Sequence, residues 1–188
     1  MSKKLKLDLH THPVEALRKE LGIKGIQDIN LKVAEAVVGS IRSAGIDGIA
    51  ITEHGNFLHS WVTSLYIYEK FSTQNLIILP GEEVDCCGQQ FLNIYIPEYI
   101  RREVSFFKGK EWFVILAHPG YYNQIDLQQL GNMEFDAVEE ESTHGVFSAA
   151  ERVAQIRGIS LVRASDAHSL SDIGSKYIEV ETVSRRRE

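Results

Sequence analysis

Two histidines near the start of the chain stand in a pattern that suits a metal ion. His10 and His12 are two apart at the end of LKLDL (5–9), a run that alternates apolar and polar residues and so reads as a strand. Side chains two apart on a strand point to one side, so both imidazoles can reach a single ion. Asp8 shares their parity and could orient a ligand as a supporting carboxylate. The same event recurs along the chain. GIAIT runs into Glu53-His54, LIIL-Pro-Gly into Glu82-Glu83, FVILA into His118, and ISLVRAS into Asp166-Ala167-His168. Five apolar runs thus each deliver His, Glu or Asp at the C-terminal end. In parallel sheets and barrels those ends gather on one face, which is where active sites form.

The donors are nitrogen and oxygen only. That set suits zinc, manganese or ferrous iron and argues against a structural thiolate site. His10, His12, Glu83, His118 and Asp166 are more than one closed four-coordinate ion needs. Adding His54 and His168 gives enough donors for two ions, or three if water and a bridging Glu83 contribute. Such a cluster can activate a water as nucleophile and clamp the attacking and leaving oxygens of a phosphate ester. It also counters the repulsion that an acidic protein offers an anionic substrate. The expected catalytic set is His10, His12, Glu83, His118, Asp166 and His168, with His54 joining them as a metal ligand.

The rest of the chain must position these groups. Its 188 residues, 44% hydrophobic, are enough for one domain with a sizeable core, taken as 1–188. With 26 acidic and 20 basic side chains the formal net charge is -6, so a global basic field for nucleic acid is absent. A small phosphorylated molecule is the expected partner, with nucleic acid a weaker second; oligomeric state is open. Arg185, Arg186 and Arg187 form a local basic run that reads as a solvated end. The N-terminal MSKKLKLDLH lacks the apolar stretch of a signal peptide, and no stretch approaches a membrane span. Cys86 and Cys87 are adjacent, outside any CxxC spacing, and read as small residues in or near a strand. A cytoplasmic protein is expected.

Strands are predicted at 5–9, 46–52, 76–79 (ended by Pro80-Gly81), 91–96, 112–117, 135–140, 159–165 and 176–181. Residues 30–44 carry Leu31, Ala34, Val37, Val38 and Ile41 at helical spacing, with Asn30 as N-cap and Gly45 as the stop. Residues 60–72 can form a helix with Trp61, Leu65 and Tyr68 on one side, and 147–157 a further one. Strands alternating with helices argue for an α/β fold, a mostly parallel sheet and, at this length, a small irregular barrel.

The motifs DLHTH (8–12), ITEHGN (51–56), LPGEEVD (79–85), LAHPG (116–120), AVEEE (137–141) and SDAHS-x3-IG (165–174) resemble, in order and over nearly the whole chain, those of the PHP family, named for polymerase and histidinol phosphatase. The resemblance implies a distorted seven-stranded (β/α)7 TIM-like barrel with a two- or three-metal centre. It also implies hydrolysis of phosphate esters by a metal-bound hydroxide. Carried over by position, His10, His12 and Asp166 share one metal, Glu83 bridges in preference to Glu82, His118 binds the second metal, and His54 and His168 bind a third. The sequence departs from the family pattern at three places. Thr52-Glu53-His54 stands where TDH is usual, PVEALRKE offers only Glu15 or Glu20 for a further ligand, and Asn93 lies nearest the place of a usual histidine. The first metal site is complete, while the other two are short of a ligand.

Two other readings share the HxH start. An amidohydrolase would need a bridging lysine at a strand end, and a non-catalytic metal-binding domain would fit the departures. Glu139, Glu140 and Glu141 read as a strand edge and polar turn, and His59 and His144 as surface histidines. Arg163 and Lys176 could bind phosphate, and Tyr121 and Tyr122 could wall a pocket.

Overall fold

The computed structural model describes residues 3–71 and 75–183. The Arg185–Arg187 run lies outside them. Strand β1 (Lys4–Thr11) leads into helix α1 (Pro13–Leu21) and then α2 (Leu31–Ala44). Strand β2 (Gly48–Ile51), helix α3 (Phe57–Phe71) and strand β3 (Ile77–Cys86) follow. Next come β4 (Gln89–Tyr95), α4 (Glu98–Glu103), β5 (Trp112–Ala117) and α5 (Leu127–Leu130). The chain closes with β6 (Ala137–Ser142), β7 (Gly145–Val146), α6 (Ala150–Arg157), β8 (Ser160–Arg163) and β9 (Ile178–Glu181).

These strands form one curled sheet in the order β7-β6-β5-β4-β3-β2-β1-β9, with β8 pairing β6. The expected (β/α)7 barrel is therefore wrong: the sheet is a mixed half-barrel. Neighbours β1/β2, β2/β3, β5/β6 and β6/β8 are parallel, whereas β1/β9, β3/β4, β4/β5 and β6/β7 are antiparallel. The cause is local. A parallel neighbour needs a crossover connection, and β3 has none. It turns straight into β4 through Cys87 (φ 55°) and Gly88 (φ 76°), two positive-φ residues of the kind that close a two-residue hairpin. Both cysteines are free and exposed at that tip.

Strand β3 also does not stop at Pro80-Gly81 but runs on to Cys86. Gly81 permits this, because a Cβ there would stand 2.8 Å from the Asn93 carbonyl oxygen of β4. The extension carries Glu83 out over the centre of the curl.

The core follows strand alternation. Ala50, Leu79, Leu92, Ile94, Ile115 and Val162 fill the inside of the curl with Leu5, Leu7 and Leu9, closed by Phe107. Ile49, Ile51 and Ile78 point the other way, into a layer with Val33, Val37, Val38 and Ile41 of α2. Helix α2 begins where expected, with Asn30 Oδ1 accepting from the Lys32 amide at 2.9 Å, and ends on Gly45 at φ 66°. Helix α3 departs from its expected face. It buries Ser60, Thr63, Ser64 and Ile67, while Leu65 is 49% exposed. Among the described residues, no helix is long and apolar enough to cross a membrane.

Candidate metal centre

The centre is built on a seam between the end of β1 and the loop after β8. His12 N donates to Ala167 O at 2.9 Å, and Ala167 N donates to His10 O at 3.3 Å. Asp8 anchors the seam from below. Its carboxylate accepts from the amides of Ser165 (2.9 Å), Gly174 (2.8 Å) and His10 (3.4 Å). So Asp8 does not orient a ligand ring, the role its parity suggested; it holds the backbone beneath the cluster. Its complete burial pushes its pKa up to about 6, against the opposing pull of those donors.

At the seam three side-chain atoms converge. Asp166 Oδ1 lies 3.3 Å from both His10 Nε2 and His12 Nε2. Glu83 Oε2 lies 3.4 Å from His10 Nε2, 3.3 Å from His12 Nε2 and 3.1 Å from His54 Nε2. The other oxygen, Oε1, is 2.9 Å from His118 Nε2. Glu83 thus sits among four imidazoles. Glu82 pairs with Asn93 across β3 and β4, and strand alternation turns both to the opposite face from Glu83.

These groups fit a divalent ion. His10 Nε2, His12 Nε2 and Asp166 Oδ1 are buried and make no hydrogen bond, which is costly for polar atoms unless something else binds them. Two ligand atoms on one tetrahedral ion, each at about 2.0–2.1 Å, stand about 3.3 Å apart. That is the spacing observed from each of the two Nε2 atoms to Asp166 Oδ1 and to Glu83 Oε2.

Further groups extend the cluster. His12, Glu15, His54 and His168 bring one ligand atom each within 4.8 Å of one another, as do His144, Asp166 and His168. Glu15 Oε2 is 2.8 Å from His54 Nδ1, and His144 Nε2 is 3.2 Å from Asp166 Oδ2. Glu15 is therefore the member of PVEALRKE that reaches the site. It is placed by Glu53, whose carboxylate accepts from the amides of Val14 (2.7 Å) and Glu15 (3.0 Å) at the start of α1. The acid of Thr52-Glu53-His54 thus fixes the helix that carries Glu15.

Two residues read as bland from the sequence belong here. Glu139 is fully buried, accepts from His10 Nδ1 at 3.1 Å through Oε1, and takes the His118 amide at 2.7 Å through Oε2. Its signal was its place in AVEEE, on the face of β6 that alternation shares with Ala137 in the core. His144 had no spacing signal, because the β6–β7 turn delivers it. Conversely, Asn93 does not join the cluster. Arg163 pairs with Glu140 and Glu141, and Lys176 with Glu141, away from the centre. His118 (φ 25°) and Asp166 (φ 52°) both hold positive φ, a backbone state of a kind that collects at functional sites and costs about 1–3 kcal/mol.

The electrostatics divide the rings. Burial alone would keep His10 neutral, but Glu139, Asp166 and Glu83 together raise its pKa well above the ordinary value. Burial lowers His12 to about 4, leaving it neutral. His54 is raised to about 9, chiefly by Glu83 and then by Glu15, against its partial burial. Glu83 and Asp166, which burial would push up, are held ionised well below the usual carboxylate range by the surrounding histidines. Neutral imidazole and ionised carboxylate are the metal-binding forms, and a cation is what this excess of negative donors calls for.

A search of curated proteins finds no match to this sequence. Residues 148–188 match the PHP-associated family model. Three solved structures share the fold at low identity. The first is a two-domain protein from Bacteroides vulgatus ATCC 8482 that contains a predicted PHP-like metal-dependent phosphoesterase. It is 19% identical with a TM-score of 0.60, covering 90% of this chain and 53% of that one. PsfC from Pseudomonas syringae PB-5123 is 13% identical, TM-score 0.59, covering 92% and 80%. A protein from Bifidobacterium adolescentis ATCC 15703, provisionally described as a metal-dependent phosphoesterase, is 14% identical, TM-score 0.61, covering 91% of both chains. The chain thus spans about half of the first protein and most of the other two. The C-terminal segment thus resembles the PHP-associated family, and the chain shares its fold with proteins described as PHP-like or metal-dependent phosphoesterases.

Proposed function

We propose that this chain is a divalent-metal-dependent phosphoesterase acting on a small phosphorylated molecule. The observation that carries the reading is the set of buried atoms without hydrogen bonds, His10 Nε2, His12 Nε2 and Asp166 Oδ1, at ligand-to-ligand spacing. Ions held there, in two or three adjoining positions and of zinc, manganese or iron, would supply the charge that binds a phosphate ester and acidifies the attacking water. His10, His12 and Asp166 would hold one ion, Glu83 would bridge, and His118 would serve the second. His54, His168 and Glu15 would serve a third, with His144 beside Asp166.

The chain's own part is orientation. Glu139 commits the His10 proton to Nδ1, which turns the Nε2 lone pair toward the cluster. Glu53 sets Glu15 through two backbone bonds. His54 and His168, with side chains 43% and 42% exposed, and His144 at 35%, form the rim that a substrate meets first.

The test pairs elemental analysis of purified protein with hydrolysis of a panel of phosphomonoesters and diesters under zinc and manganese. The expected result is at least one ion per chain and turnover that His10→Ala abolishes. Absence of bound metal under replete conditions, or turnover indifferent to His10→Ala, would overturn the proposal.

A further inference from the structure

Two cavities flank the cluster, one beside His118 and one beside His54. The second, about 360 Å³, shares His54 and Glu15 with the candidate centre and continues to Arg18, Asn56 and His59. Val14 and Ile23 supply its apolar wall. Arg18 stands out within it. It is exposed, it is the one lysine or arginine that lines the cavity, and like several other surface cations it makes no ion pair among the described residues. The two acids in the same cavity are committed elsewhere. Glu53 spends both oxygens on the Val14 and Glu15 amides, and Glu15 faces His54.

Asn56 and His59, which line the cavity with Arg18, offer donors. Asn56 Oδ1 accepts from the His59 amide at 3.3 Å, which leaves its Nδ2 3.4 Å from His59 Nε2. With Nε2 turned to Asn56, His59 Nδ1 is left as a donor. A planar guanidinium beside an amide and an imidazole is a setting for phosphate, which arginine binds through two parallel N–H bonds.

We propose that this cavity is the subsite for a second phosphate, so that the preferred substrate is a small bisphosphate joined by a short hydrocarbon spacer. On the phosphoesterase reading above, on which this inference rests, one phosphate is cleaved at the metal cluster and the other is held by Arg18. The spacer lies on Val14 and Ile23. The negative charge of Glu15 sets the order: it faces the cluster end of the cavity, where ions would offset it, and Arg18 lies one helical turn further on.

The test uses matched probes. Propane-1,3-diol bisphosphate and its monophosphate differ only in the second phosphate. Wild-type protein should favour the bisphosphate in kcat/KM by about tenfold or more, as expected for a charge-assisted pair. Arg18→Ala should erase that preference, while Lys19→Ala, which removes the same charge from the same helix, should keep it. Calorimetry with propane-1,3-bisphosphonate against propylphosphonate, on zinc-loaded protein, reads binding without turnover. A preference that survives Arg18→Ala, or that Lys19→Ala lowers equally, overturns the subsite. Arg18-dependent binding of the bisphosphonate in a protein that cleaves no phosphate ester would uphold the subsite and sink the phosphoesterase reading. Turnover with no Arg18-dependent preference would do the reverse.

Discussion

His10 donates from Nδ1 to Glu139 across 3.1 Å, in a pair with no solvent exposure on either side. The same carboxylate takes the His118 amide at 2.7 Å, so one acid sets a ring on β1 and a backbone turn after β5. Glu139→Gln keeps the acceptor oxygen but loses the charge. It should weaken metal binding roughly 10–100-fold, measured by chelator competition. Glu139→Ala should also destabilise the fold by about 1–3 kcal/mol in urea unfolding, because the buried His118 amide loses its partner.

Asp8 holds the seam by three backbone amides, and their loss should be felt in folding before it is felt in chemistry. Asp8→Ala is expected to cost about 3 kcal/mol or more, with Asp8→Asn losing less because it keeps one acceptor. Metal should restore part of the lost Tm, since an ion on His10, His12 and Asp166 ties together the strand and the loop that Asp8 ties. A loss of metal affinity at unchanged stability would contradict this role.

Glu15 and Asn93 give opposite expectations. Glu15→Ala should reduce metal stoichiometry or weaken the weakest-bound ion, because Glu15 lies 2.8 Å from His54. Asn93→Ala should leave metal content unchanged, because Asn93 faces away from Glu83 in the β3–β4 register. Equal metal loss in both variants would show that register to be wrong.

Metal-free and metal-loaded protein should respond to pH in opposite senses. In the metal-free chain Asp8, Glu53 and His54 are raised to about 6, 7 and 9, the first two by burial and the third chiefly by Glu83. Each folded value exceeds the unfolded one. The stability they contribute is complete below about pH 4 and is lost in turn as pH rises, for Asp8 by about 6, for Glu53 by about 7 and for His54 by about 9. The Tm of chelated protein should therefore fall across that window. A bound ion needs His54 deprotonated, so metal affinity should rise as pH climbs toward about 9, with protons released on loading. Calorimetry in buffers of different ionisation enthalpy reads that release. Metal binding without proton uptake by the buffer at pH 7.5 would argue that His54 is not a ligand.

Much of this site could be read from the sequence, because ligands at the ends of apolar strands announce themselves by type and position. His10, His12, His54, Glu83, His118, Asp166 and His168 do converge in space. What escaped depended on facts that strand patterns do not carry. The direction of β4 hinged on a two-residue turn at Cys87-Gly88, and with it went the barrel and the supposed place of Asn93. Glu139 looked like surface because acids are rarely fully buried, and only its partners explain it. His144 came in on a tight turn, and Glu15 on the start of a helix that Glu53 fixes from another strand. Helix α3 misled through composition, since its buried stripe is largely serine and threonine.

The bond from Asp8 to the Ser165 amide spans 157 residues, and Asp8 to Gly174 spans 166. Every route to a complete cluster passes through contacts of that range. Such contacts form late, since loop closure must be paid for before they contribute. During synthesis, His10 and His12 emerge long before Asp166 and wait for it. A ribosome-bound fragment ending before residue 160 would hold the histidines without their seam. Metal acquisition is thereby coupled to synthesis of the segment that carries Asp166, and the ion would act as a late staple on a fold in which β1 is among the last strands to be locked.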